Sequence, residues 1–297
     1  MMSQLPTLAV TGATGFVGRE VVKQALEVGF PVRVVVRNAK SAPPGCASFR
    51  GNVIHASSLE GAFDGIQCVL HLVGIIHARG ENTFERVHVE ATRHVLDVAK
   101  RAGVKRYLHM SALGTRANAR SRYHQTKWAA EELVRRSGLG WTIFRPSLIY
   151  GPGDKSINVL AKILRRLPFV PVLGSGNSKI QPISVENVAK CFVEAIRNDD
   201  SVGQTYDLCG PVAFTWNELY DKLLAFYGLS KPKLHLPLPV ARAQATILEK
   251  LLRNPPFNRD QLIMTEEDNV GDAKRAQRDF FLEQETFEQG LARYLPR

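Results

Sequence analysis

The sequence predicts an α/β fold, a doubly wound parallel sheet with a smaller C-terminal substrate lobe, and three observations carry that prediction. Short, nearly continuous apolar runs alternate with stretches of helical period through the first half of the chain. Buried parallel strands read this way because both of their faces are covered. Gly12, Gly15 and Gly18 stand between the first such run and the first helical stretch. Beyond Gly151 the alternation weakens and helical stretches dominate. Strands and helices alternating at this spacing make βαβ units, the repeat of a Rossmann sheet.

Taken in order, residues 7–10 form the first strand, and TGATGFVG leads from it into a helix over 17–28. Residues 32–36 are a second strand, dense in β-branched side chains, with a third at 51–54 and a fourth at 68–73. A helix is expected from about 83 to 102, stopped by Gly103. The fifth strand is 107–110, followed by a helix over 127–136 ending near Gly138 and a sixth strand at 141–144. Later helices are expected at 160–167, 185–196, 216–227 and 241–252, with one strand at 205–208. The 241–252 helix is bounded by Pro239 and by Pro255 and Pro256, and the following stretch has no clear period. Residues 1–150 are thus expected to be the dinucleotide-binding domain. Residues 151–297 would pack on it as the substrate lobe, with about 181–210 returning to the sheet.

With 297 residues, 44% hydrophobic and 23% charged, the composition is that of a folded domain and excludes a disordered tail or a coiled coil. No apolar run approaches the ~18–20 residues of a membrane span. Residues 1–6 show neither an export signal nor an Arg-rich presequence. Cys46, Cys68, Cys191 and Cys209 form no Cys-x-x-Cys pair, which suits a reducing compartment. A cytoplasmic location is expected, with peripheral attachment at the inner face of the membrane as the alternative. The net charge of +11 is concentrated between Glu90 and Gly140, where eleven Lys and Arg face four acids. That surface could meet nucleic acid, anionic lipid or a phosphorylated cofactor. It lacks a recognition motif, so sequence-specific nucleic-acid binding is not expected. Arg242, Lys250 and Arg253 beside Ile247, Leu248 and Leu251 offer a membrane or partner-helix face, although packing into the lobe is the simpler reading. His71, His77, His88 and His94 lack metal-ligand spacing, so no metal is expected.

Chemistry enters at two places. A pyrophosphate can sit on a helix N-terminus only where the backbone comes close, and the glycine triplet after a strand permits that approach. An NAD site usually carries an acid at the end of the second strand; here the chain reads Val36-Arg37-Asn38, with Lys40 soon after. A guanidinium pairs with a 2′-phosphate that a carboxylate would repel, so NADP(H) is favoured over NAD(H). The second place is Tyr123-His124-Gln125-Thr126-Lys127. On a helix, Tyr123 and Lys127 share a face, and an ammonium beside a phenol lowers its pKa into a usable range.

These residues resemble the short-chain dehydrogenase/reductase superfamily over nearly the whole chain. TGATGFVG is similar to its cofactor turn, HLVGI at 71–75 to its fourth-strand segment and YHQTK to its catalytic pair. FRPSLIYGPGD at 144–154 and QPISVENVA at 181–189 are similar to the extended, epimerase/dehydratase-like branch. VHVEAT at 87–92, HMSALG at 109–114 and DQLIMTEEDNV at 260–270 are similar to atypical members related to the NAD(P)H-binding accessory subunit of respiratory complex I and its bacterial relatives.

The resemblance implies a role for each matching position. Thr11, Gly12, Ala13, Thr14, Gly15, Phe16, Val17 and Gly18 would form the pyrophosphate turn. Arg37 and Asn38 would lie at the 2′-phosphate, and Asn52 and Val53 at the adenine, although the family usually has Asp at the first of that pair. Val73 and Gly74 would line the ribose, and Pro146 and Ser147 the nicotinamide. Tyr123 would exchange the proton while Lys127 orients the ribose. Two departures stand out. His88 replaces an Asn, and Ser111-Ala112 replaces a pair ending in Ser or Thr, leaving Ser111 as the nearest hydroxyl. Losing such a donor is typically worth ~10²–10³ in rate. Three functions follow: an oxidoreductase on a carbonyl/alcohol pair of a small or lipid-like substrate, a non-catalytic NADPH-binding subunit or assembly factor tied to quinone or respiratory-complex function, or a nucleotide-sugar epimerase/dehydratase. Arg37 argues against the last, which would hold NAD.

Overall fold

The computed structural model describes residues 5–251 and 259–296. The chain runs β1 (Leu8–Thr11), α1 (Phe16–Glu27), β2 (Val32–Val36), β3 (Ala47–Arg50) and β4 (Cys68–His71). A π-helical turn, Glu85–Glu90, continues into α2 (Ala91–Arg101), followed by β5 (Arg106–Met110), α3 (Arg122–Arg135) and β6 (Gly140–Pro146). Then come α4 (Ile157–Arg166), α5 (Val185–Ala195), β7 (Gln204–Leu208), α6 (Trp216–Phe226), α7 (Leu238–Leu251), α8 (Arg259–Thr265), α9 (Lys274–Asp279) and α10 (Phe287–Tyr294).

Seven strands make one parallel sheet in the order β7-β6-β5-β4-β1-β2-β3, so the winding reverses between β1 and β4. Strand alternation divides the apolar side chains between two cores. Val10, Val34, Leu70, Leu108 and Phe144 face α1 and α5; Ala9, Val35, Val69, Tyr107 and Ile143 face α2 and α3. The first core is assembled from distant segments: Phe144 packs on Phe192 of α5, Tyr206 of β7 and Phe280 after α9. A separate cluster, around Tyr150, Ile157, Leu219, Phe287 and Leu291, gathers α4, α6 and α10.

Several expectations shift. The third strand is Ala47–Arg50, and the predicted 51–54 is a turn in which Gly51 N–H bonds to Val36 O and His55 N–H to Asn52 O. The real strand lies at the sheet edge with mostly exposed side chains, so it carries no apolar run. Val53 and Ile54 look strand-like because the turn buries them in the second core. Helix α3 starts at Arg122, where Ser121 accepts from His124 N–H, well before the predicted 127. Pro239 falls inside the first turn of α7, where a missing N–H costs nothing. Short helices α8, α9 and α10 occupy the stretch read as aperiodic. Arg253, Pro255 and Pro256 lie outside the described residues, as do the side chains of Ile247, Leu248, Lys250 and Leu251.

Candidate active site

All the strands run the same way, so the loops after their C-terminal ends share one edge, and a ligand crevice forms where the order reverses. The turn after β1 sits at that point. Gly12 has φ +84°, and a Cβ there would press on the Leu72–Val73 backbone at 3.0 Å. A Cβ on Gly18 would lie 2.1 Å from Gly12 O, so this glycine lets α1 close on the turn. Gly15 is the N-cap of α1, which opens with no side-chain cap and no acid in its first turn. Its unpaired N–H groups and dipole suit an approaching phosphate. Thr14 and Gly15 are exposed there, whereas Thr11, Ala13, Val17 and Gly18 are buried and shape the turn from beneath. Phe16 is half-buried beside them. This cradle fits a dinucleotide pyrophosphate.

At the end of β2, Arg37 is exposed, and Asn38 accepts from Lys40 N–H to cap a short turn. Arg50, in register with Val36, adds an exposed cation at the same end that sequence reasoning missed. Asn52 is half-buried, its N–H bonded to Ser58 Oγ, and the Val53 carbonyl meets His94 Nδ1 at 3.0 Å. After β4, Val73 is half-buried and Gly74 exposed, with Lys127 Nζ 3.1 Å from where a Gly74 Cβ would stand. After β6, Pro146 is buried and Ser147 Oγ bonds to Asn269 Oδ1 at 2.6 Å.

Tyr123 and Lys127 lie on α3 as the spacing requires, but their electrostatics differ from expectation. Lys127 is buried and donates to Met110 O at 2.9 Å, and burial lowers its pKa to about 8. Burial pushes the Tyr123 phenol up to about 12, so here the hydroxyl is a held proton, not a phenolate. Ser111 is buried, its N–H bonded to Phe144 O and its Oγ 3.5 Å from Thr115 Oγ1. Thr115 Oγ1 in turn lies 3.3 Å from His124 Nδ1. Neither Thr115 nor His124 carried a signal in the sequence.

His88 sits in the π-helical turn, a distortion frequent at functional sites. Its Nδ1 meets Thr126 Oγ1 at 2.9 Å and its Nε2 meets the Ile75 backbone at 3.1–3.2 Å. Burial drives its pKa down to about 2, so it is a neutral brace between α3 and the loop after β4. A second buried chain starts at the cofactor turn. Thr92 gives its hydroxyl proton to His88 O (2.6 Å), so it must accept from His71 Nε2 (3.3 Å). His71 Nδ1 is then the acceptor for the Thr11 hydroxyl at 2.7 Å.

The basic stretch is not an open stripe. Arg116 pairs with Glu267 (2.8 Å), Arg120 with Glu266 (3.1 Å) and Arg122 with Glu85 (3.0 Å). Arg135 and Arg145 both hold the buried carboxylate of Glu131 at 2.6 Å. Acids distant in sequence therefore pair three of the eleven cations that looked available for lipid or nucleic acid, Arg116, Arg120 and Arg122. Residues 266–269 thus form a strap across this stretch, with Asn269 also donating to Leu113 O at 2.9 Å.

A family model described as NAD(P)H-binding matches residues 12–199. The chain is 30% identical over 259 residues to the Arabidopsis thaliana mitochondrial protein named NADH dehydrogenase (ubiquinone) 1 alpha subcomplex subunit 9, covering 84% of this chain but only 64% of that protein's length. It is also 30% identical over 236 residues to the ceramide reductase of Caulobacter vibrioides, covering 78% and 74%. Among solved structures, a nucleoside-diphosphate-sugar epimerase from Staphylococcus aureus superposes with TM-score 0.76 at 18% identity, covering 96% and 99%. A dTDP-glucose 4,6-dehydratase from Streptomyces venezuelae, solved with NAD bound, gives 0.75 at 20% identity, covering 97% and 95%. At such identities the two structures share the fold alone.

Proposed function

The chain belongs to the NAD(P)H-binding family, and on that premise we propose that it binds NADP(H) along the sheet edge and reduces a carbonyl on a lipid-like substrate. The observation that carries this reading is that the turn into the uncapped α1 and Lys127 of α3 both meet the loop after β4, Gly12 at Leu72–Val73 and Lys127 at Gly74. A bound nicotinamide supplies the hydride. Gly12, Thr14 and Gly15 would hold the phosphates, Arg37 the 2′-phosphate, and Asn52 and Val53 the adenine. Val73, Gly74 and Lys127 would hold the ribose, and Pro146 and Ser147 the nicotinamide. Burial keeps the Tyr123 phenol protonated, the form needed to give a proton to a carbonyl oxygen. The likeness to a protein named ceramide reductase supports an apolar substrate.

A second reading, an NADPH-holding subunit without turnover, is favoured by Ala112 and by the Lys127 ammonium being engaged by Met110 O. The likeness to proteins named as complex I subunits supports respiratory-complex association at a membrane-facing site. Among the described residues no helix is long and apolar enough to cross a membrane, which suits peripheral attachment. Tyr123→Phe separates the two. In an enzyme it should cut turnover by ~10²–10⁴ while leaving NADPH affinity in place. Rescue of a deletion strain by Tyr123→Phe, with failure of Gly15→Val, would end the catalytic reading.

A further inference from the structure

Below Lys127, on the sheet face covered by α2 and α3, β5 presents Tyr107 and His109, and β4 presents His71 in register with His109. All three are almost completely buried. The His71 and His109 rings stack at 5.6 Å, and Tyr107 lies 6.4 Å from His109 and 6.2 Å from His71. Both nitrogens of His71 are used, by Thr11 and Thr92. Its neighbours differ. Among the described residues, neither nitrogen of His109 nor the Tyr107 hydroxyl has a hydrogen-bond partner.

Leaving such atoms unpaired in an interior is costly, whereas an apolar pair of similar shape would carry no such cost. Buried polar atoms without protein partners are commonly met by internal water, which needs a polar site and two or more hydrogen-bonding groups. The ligand here must donate and accept at once, because a neutral imidazole offers one N–H and one lone pair beside a phenol. It is not a cation, since Lys127 already places a positive charge nearby. A cation would find one free imidazole and a phenol, too few ligands to hold it.

We propose that Tyr107 and His109 bind an internal water, hydrogen-bonded to the phenol oxygen and to a ring nitrogen of His109. The water sits under the active site as a shared footing. His109 precedes Met110, whose carbonyl receives Lys127, and it stacks on His71, which receives Thr11 at the cofactor turn.

The sign of a stability change tests this. With water bound, Tyr107→Phe and His109→Phe each remove a partner and should lower the melting temperature. Their effects should also be less than additive in the double variant, because both act on one water. In a dry interior either substitution deletes an unsatisfied group, so an unchanged or raised melting temperature overturns the proposal. If His109→Phe fails to fold, a high-resolution crystal structure of the unmodified protein decides instead. Water density within ~3 Å of both Tyr107 Oη and a His109 nitrogen supports the site, and only carbon contacts around them overturn it.

Discussion

Single side chains decide the chemistry, and their sequence signals were unequal. Arg37 is exposed, with no acid between it and Arg50. NADPH should therefore bind about tenfold or more tightly than NADH, from a charge-assisted pair of roughly 1.5–3 kcal/mol. Arg37→Ala should remove most of that preference, and calorimetric titration with both dinucleotides reads it directly; equal affinities in the unmodified protein would sink the assignment. Lys127 makes a different prediction. Its folded-state pKa of about 8 lies below the usual 10.5, so between those values the unfolded chain binds more protons and this group's contribution to stability rises with pH. Buried Cys68, Cys191 and Cys209, held above their usual range, act in the opposite sense in the same window, so the test is a difference: the stability of the unmodified protein relative to Lys127→Met should rise with pH across it in denaturant titrations. The Tyr123–Lys127 pair was legible because helical spacing is a local property. The phenol's environment was not. It depends on burial and on the direction the ammonium takes, which the rest of the fold sets.

At the scale of elements, the turn into α1 separates two kinds of glycine. A Cβ on Gly18 would overlap Gly12 O, whereas one on Gly15 meets only that oxygen, at 3.2 Å. Gly18→Ala should lower the melting temperature sharply, because α1 must move off the sheet. Gly15→Val should fold and yet lose dinucleotide, because its side chain would project toward the phosphates. Thermal unfolding and binding measured side by side check both; a Gly15→Val variant that keeps its affinity would remove the turn from the site. This element was readable because a strand, a glycine turn and a helix are contiguous. Edge strand β3 was missed for the opposite reason: its side chains are exposed, so no apolar period marks it. The strap at 266–269 was also beyond reach. Glu266, Glu267 and Asn269 find partners about 120 to 155 residues away, and nothing local names them.

For the molecule as a whole, four histidines are held neutral around Lys127. Burial lowers His71 to about 3, His88 to about 2 and His124 to about 4, and His109 falls well below its usual value. Each takes up a proton on unfolding once the pH drops below about 6.5, so stability should fall by about 1.4 kcal/mol per pH unit for each of them. Denaturant unfolding between pH 6.5 and 4.5, above most carboxylate titration, should show a slope of several protons, lowered by one in His88→Asn. A slope below one proton would contradict the buried neutral cluster. The parallel sheet was visible from strand runs alone, but closure of its first core was not, because Phe144 meets Phe192, Tyr206 and Phe280 only in three dimensions. That arrangement bears on how the protein is made. A chain leaving the ribosome N-terminus first presents six strands with one apolar face covered only by α1 and the β6 edge open. It stays so until α5, β7 and finally Phe280 emerge. Completion of synthesis, not formation of the early strands, therefore times the sealing of the fold. A nascent chain stalled at Tyr150 should be protease-sensitive and bound by chaperones, whereas the released full-length chain is neither.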